Sequence, residues 1–206
     1  SDSLGRDSNG LADMGKDLQD RARAAMFSLG ATYPELSGYY PQPKGLLFPA
    51  FLSVQNLSGI YSPFTIEANY NSAMVSYNLP FTICHELSHL RGFMQEEEAN
   101  FIGFLACVNA DDTAFNYSGY LLGWIYATNE LYEVDYDTFE EIYNRLSDNV
   151  KADLSANSSF WKRYDSKVAE VSGQINDHYL KANGQSDGIK SYDRMVDLMI
   201  TWFRSK

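Results

Sequence analysis

Histidine and cysteine are scarce here: 206 residues carry three of the first and two of the second. Two cysteines cannot build a disulfide framework, and Cys84 and Cys107 form no CxxC pair. They read as small buried apolar residues, not as a bridge or as metal ligands, and they are expected to lie close together on successive helices. Basic residues are also few, 16 against 27 acidic ones, and the net charge of −11 argues against unaided binding to nucleic acid or to an anionic membrane surface. No apolar run is long enough to span a bilayer, and no signal peptide opens the sequence. What is present is 45% hydrophobic and 15% aromatic, a globular composition long enough to bury a core.

Two of the three histidines stand in one short frame, His85-Glu86-Leu87-Ser88-His89. On a helix His85 and His89 leave the same face one turn apart and can grip one zinc ion, while Glu86 points at the metal-bound water. This is the HExxH arrangement of zinc peptidases. A catalytic zinc normally takes three protein ligands and one water, so a third donor is needed. Gly92 lies where metzincins place a glycine, but the ligand position that follows is Gln95, a poor donor. The gluzincin spacing is met instead: Glu96 supplies the third ligand, with Asn100 one turn later supporting it. Glu97 and Glu98 are adjacent competitors rotated by about 100° and 200° from Glu96, and Glu98 is the next candidate.

Such a site implies hydrolysis of a peptide bond, with Glu86 as general base and then acid. A donor to the developing oxyanion is expected from the C-terminal half, where His178 and Tyr179 are the first candidates and Tyr192 and Arg194 weaker ones. The stretch Gly59 to Asn71 reads as one or two strands with Pro63 at a break. Glu67-Ala68-Asn69-Tyr70-Asn71 is the expected edge strand above the metal, with Glu67 and Asn69 as substrate-binding residues.

Periodicity predicts helices over 10–29, 48–57, 81–91 (Pro80 in the first turn, Thr82 capping, Gly92 breaking), 96–109, 114–132, 137–154, 160–181 and 191–203. Four prolines between Thr32 and Pro49 predict an ordered loop. The expected fold is mainly helical α+β, a single zincin-like domain over 1–206. A small sheet and the HExxH helix occupy about 1–92, and the glutamate helix opens a helical subdomain over about 93–206.

Several blocks carry a family resemblance. His85-Glu86-Leu87-Ser88-His89-x-Arg91-Gly92-Phe93-x-x-Glu96-x-Glu98-Ala99-Asn100-Phe101, preceded by Gly59-Ile60-Tyr61-x-Pro63-Phe64-Thr65-x-Glu67-Ala68-Asn69, resembles an uncharacterised bacterial family of zincin-like proteins. So do Asn176-Asp177-x-Tyr179-Leu180-Lys181-Ala182-Asn183-Gly184-Gln185 and Ser191-Tyr192-x-Arg194-Met195-Val196-Asp197-Leu198. The resemblance implies a metallopeptidase domain that usually follows amino-terminal transmembrane helices, hence a membrane-anchored protein with an extracytoplasmic domain acting on a peptide or protein. Where gluzincins often have aspartate after the ligand, Asn100 keeps hydrogen bonding and loses a charge. The alternative is a catalytically silent zinc-containing module that binds a peptide or cell-wall partner.

Overall fold

Backbone sterics decide where the first helix starts. Gly10, Gly15 and Asp17 all take left-handed backbone, φ 77°, 73° and 56°, so α1 runs Leu18–Thr32 and does not begin at Gly10. Ahead of it the chain is an extended strap with Ala12 and Met14 buried. Asp153, fully buried on a distant helix, accepts from the Ala12 amide at 2.9 Å and from Arg6 Nη1 at 2.7 Å. The computed structural model describes residues 4–182 and 194–206, leaving aside the side chains of residues 175, 176 and 178–182.

The proline-rich loop after α1 contains a 3-10 turn, Pro34–Leu36, and a two-residue strand, β1, Lys44–Gly45. Helix α2, Pro49–Val54, starts on the proline whose fixed φ suits a first turn. Strands β2, Gly59–Ser62, and β3, Glu67–Tyr70, follow. The sheet order is β1-β3-β2. β1 runs parallel to β3, and β2 antiparallel to it with Gly59 opposite Tyr70 and Ser62 opposite Glu67. β3 is therefore the central strand, which corrects the expectation that Glu67 to Asn71 forms an edge. The strand nearest the histidines that keeps an edge is β2.

Helix α3, Asn78–His89, carries the HExxH frame. Thr82 does not cap it: it lies inside the helix and is buried. The cap comes from another helix, where Ser118 Oγ accepts from the Phe81 amide at 3.1 Å and donates to the Tyr77 carbonyl at 2.6 Å. Gly92, with φ 88°, turns the chain. α4, Glu96–Val108, then starts with three glutamates at its positive end. α5 is Thr113–Val134, α6 Tyr136–Asn144, α7 Asp148–Lys162, α8 Lys167–Ala182 and α9 Arg194–Arg204. The helices expected over 137–154 and 160–181 are divided differently, because Ser147 caps a new helix through Val150. The fold is thus mainly helical with one small three-stranded sheet.

α3 is the centre of the packing, touching α1, α4, α5, β2 and β3. Ile83, Cys84, Leu87, Phe104, Cys107, Phe115 and Met195 are buried in one core. Cys84 and Cys107 are free, buried and adjacent, as their composition suggested. Among the described residues no helix is long and apolar enough to cross a membrane.

Asp112 joins α1 to α5. It accepts from Ala114 and Phe115 at 3.0 and 3.2 Å, and both its oxygens receive Arg21 at 2.7 Å. Burial works upward on its pKa, but the hydrogen bonds and charge of Arg21 together with the Phe115 and Ala114 amides outweigh this and hold it below the usual carboxylate range. Replacing Asp112 by Ala removes a cap and a bidentate pair and is expected to cost about 2 kcal/mol at pH 7. Because the folded pKa is the lower one, this contribution is complete above the unfolded value of about 4 and disappears as pH falls through the folded value. Urea unfolding of Asp112→Ala beside wild type at pH 7 and pH 3 measures both the loss and its narrowing.

Candidate metal centre

His85 and His89 leave α3 on one face, and α4 presents Glu96 from its first residue against them. His85 Nε2 lies 3.2 Å from His89 Nε2 and 3.3 Å from Glu96 Oε2, and His89 Nε2 lies 3.9 Å from Glu96 Oε1. Donors about 2.0–2.2 Å from a small tetrahedral ion stand about 3.3 Å from one another, so two of the three separations match such an ion and the third needs a small rotation of the carboxylate. Among the described residues these three form the group whose donor atoms converge, all within 4.8 Å.

One donor is aimed by a neighbour. His89 Nδ1 donates to the Phe93 carbonyl at 2.7 Å, which leaves Nε2 with its lone pair toward the centre. Asn100, 2% exposed, adjoins His85 and raises its pKa. Glu86 is buried with Oε1 4.0 Å from His85 Nε2. Among the described residues, three of the six buried polar side-chain atoms that lack a hydrogen-bond partner cluster here: His85 Nδ1, Glu86 Oε2 and Asn100 Nδ2. Orphaned groups of this kind at one spot fit a site built around a further group.

Burial and mutual charge set the proton affinities. Burial lowers His85, but the hydrogen bond and charge of Glu96 outweigh it and leave the ring at about 9. His89 is pushed down to about 4, first by burial and then by cationic His85. On Glu96 burial works upward, and His85 overcomes it, so the carboxylate stays ionised below its usual range. Glu86 is pushed up to about 8 by burial, with His85 opposing and Glu96 adding. A positive charge between these side chains thus stabilises Glu96 in a buried position.

The competing acids point elsewhere. Glu97 is buried on another face of α4 and receives Arg194 Nη1 at 3.5 Å, and Glu98 is exposed. Arg194 accordingly stands on Glu97. His178 and Tyr179 fall on α8 with side chains outside the described residues, and Tyr192 lies outside them altogether. Glu67 pairs with Lys44 and Thr65, and Asn69 donates to the Ile60 carbonyl at 3.4 Å, both within the sheet.

Three residues near the centre escaped the sequence reading. Gly59 lies so close to Glu86 that any side chain there would overlap the carboxylate. Tyr61, two residues along β2, sets its ring 5.9 Å from His89. Their period-2 spacing places both on one face of the strand, and only knowledge of the strand's position turns that spacing into a site. Tyr126 of α5 packs on Phe81 at 6.1 Å, and its hydroxyl is raised by burial and then by the charge of Glu96.

A family model described as a protein of unknown function, DUF3810, matches residues 2–200. No curated protein and no solved structure matches the chain. The geometry predicts that Glu96→Ala abolishes retention of a divalent metal while Glu98→Ala retains it, and that Asn100→Ala weakens metal affinity by about 10–100-fold. Elemental analysis of the purified variants, with a competing chelator for the affinities, separates these outcomes.

Proposed function

The chain belongs to the DUF3810 family, and we propose that it is a zinc-dependent metallopeptidase of zincin type in which His85, His89 and Glu96 hold the metal. The observation that carries this reading is the convergence of two imidazoles and one carboxylate within 4.8 Å beside a buried, partly unpartnered glutamate. Two histidines and a carboxylate suit zinc, and three protein ligands leave one position for water. Bound there, zinc lowers the pKa of that water and polarises a carbonyl.

The protein's own groups supply the rest. Glu86, buried beside the donors, takes a proton at the carboxylate and passes it to the leaving amine. β2 passes close to that carboxylate at Gly59, where any side chain would displace it. The free edge of β2 offers backbone groups to an extended peptide, in the role first assigned to Glu67 and Asn69. We take Tyr126, within electrostatic reach of Glu96, as the donor to a developing oxyanion. The arrangement of HExxH helix, glutamate helix and flanking sheet is zincin-like in this reading.

Glu86→Gln is expected to keep about one zinc per chain and to abolish cleavage of a peptide library. Tyr126→Phe is expected to lower kcat by about 100-fold with zinc content unchanged. Wild-type protein that binds zinc yet cleaves no peptide would instead indicate a silent zinc module that binds a peptide or cell-wall partner.

A further inference from the structure

Between Lys44 and Glu67 the chain contains no charged residue, although 21% of all residues are charged. The two residues that bound this stretch neutralise each other, Lys44 Nζ bonding Glu67 Oε1. Inside it Leu52 is buried, but five large apolar side chains point outward. Leu47 is 91% exposed, Phe48 80%, Phe51 67%, Phe64 97% and Ile66 60%.

The sheet arranges these side chains as two tips. The Leu46 amide bonds the Tyr70 carbonyl at 3.1 Å, so Leu47 and Phe48 leave from the Tyr70 end of β3 and lead into α2. The turn holding Phe64 and Ile66 joins β2 to β3 at the other end. β3 spans about 13 Å between them. Gly59 and Tyr61 face the histidine site, so alternation turns Ile60 to the opposite face, where it is half-exposed between the tips. Ile66 also has φ 55°. A β-branched residue in left-handed backbone is strained, and glycine or asparagine would relieve the turn. An exposed isoleucine there gains nothing inside the fold.

We propose that this stretch is a membrane-contact surface whose two apolar tips enter the interfacial zone of a neutral lipid bilayer. Shape and charge both favour a bilayer over a protein. A side chain that is 97% exposed offers no wall to a peptide, whereas a bilayer closes around a protruding group. Protein interfaces ring an apolar centre with polar and charged residues, whereas insertion excludes unpaired charge from the whole inserted segment. The net charge of −11 keeps the remainder off anionic lipid, so the tips and not electrostatics supply the affinity. The inference stands whether or not the histidine site holds a metal.

The test uses the 206-residue chain and phosphatidylcholine vesicles in a flotation assay. Wild type is expected to float with the vesicles, and Phe48→Ser and Phe64→Ser each to weaken binding by roughly tenfold. Val134→Ser, at a residue 80% exposed on α5, is expected to bind like wild type. All three positions are exposed, and thermal unfolding checks that the variants fold. Phe64→Trp gives a second readout, a blue-shifted emission on vesicles that brominated lipid quenches. Absence of flotation, flotation only with phosphatidylglycerol, or equal weakening by Val134→Ser overturns the proposal. A wild-type dimer that Phe64→Ser dissociates, without vesicle binding, also overturns it and assigns the face to a second copy of the chain.

Discussion

The centre depends on how closely α4 can lie on α3. Gly103 is at the contact, where a Cβ would come within 3.2 Å of the Phe81 carbonyl and 3.3 Å of the His85 amide. Around it Ile83, Cys84 and Leu87 of one helix meet Phe104, Ala106 and Cys107 of the other with almost no solvent exposure. Three donor atoms converge only if this distance is kept, because ligand geometry tolerates errors of about 0.5 Å. The apolar packing therefore sets the polar chemistry, and the adjacent buried thiols belong to that packing.

Two buried charged groups in the molecule show different logic. Asp153 is sealed from solvent, and both of its oxygens are engaged, by Arg6, Tyr117 and the Ala12 amide. It staples the amino-terminal strap to α7 and α5; the carboxylate itself is satisfied, although Nε and Nη2 of its Arg6 partner are buried without one. The site around His85 has comparable burial yet leaves Glu86 Oε2 and His85 Nδ1 without partners. Orphaned atoms occur at both places, and what sets the His85 group apart is that its orphans lie beside three converging donor atoms.

What could be read from the sequence follows from range. The i, i+4 spacing of His85 and His89 and the rotation that separates Glu96 from Glu97 and Glu98 are properties of single helices, so they were legible, as was strand structure between Gly59 and Asn71 with a break at Pro63. Pairing is not local. Nothing in Glu67 to Asn71 indicates that Lys44 and Gly45 come back to lie on its far side, and the mistaken edge followed from that. Gly59, Tyr61 and Ser118 act on α3 from other elements, and their roles became visible only with the chain folded. Helix limits slipped where capping chemistry is weak in pattern, at Asp17 and at Ser147.

His89 and Glu96 are joined by the short turn through Gly92, so all three donors come from one continuous segment of two helices. Bringing them together closes a small loop, and the entropy of doing so grows only slowly with loop length and is low here. Contacts of such short sequence separation form early when a chain folds, ahead of the long-range pairing that brings β1 to β3. In kinetic terms the donor set belongs to the fast part of the molecule, and the approach of Gly59 to Glu86, far apart in sequence, belongs to the slow part.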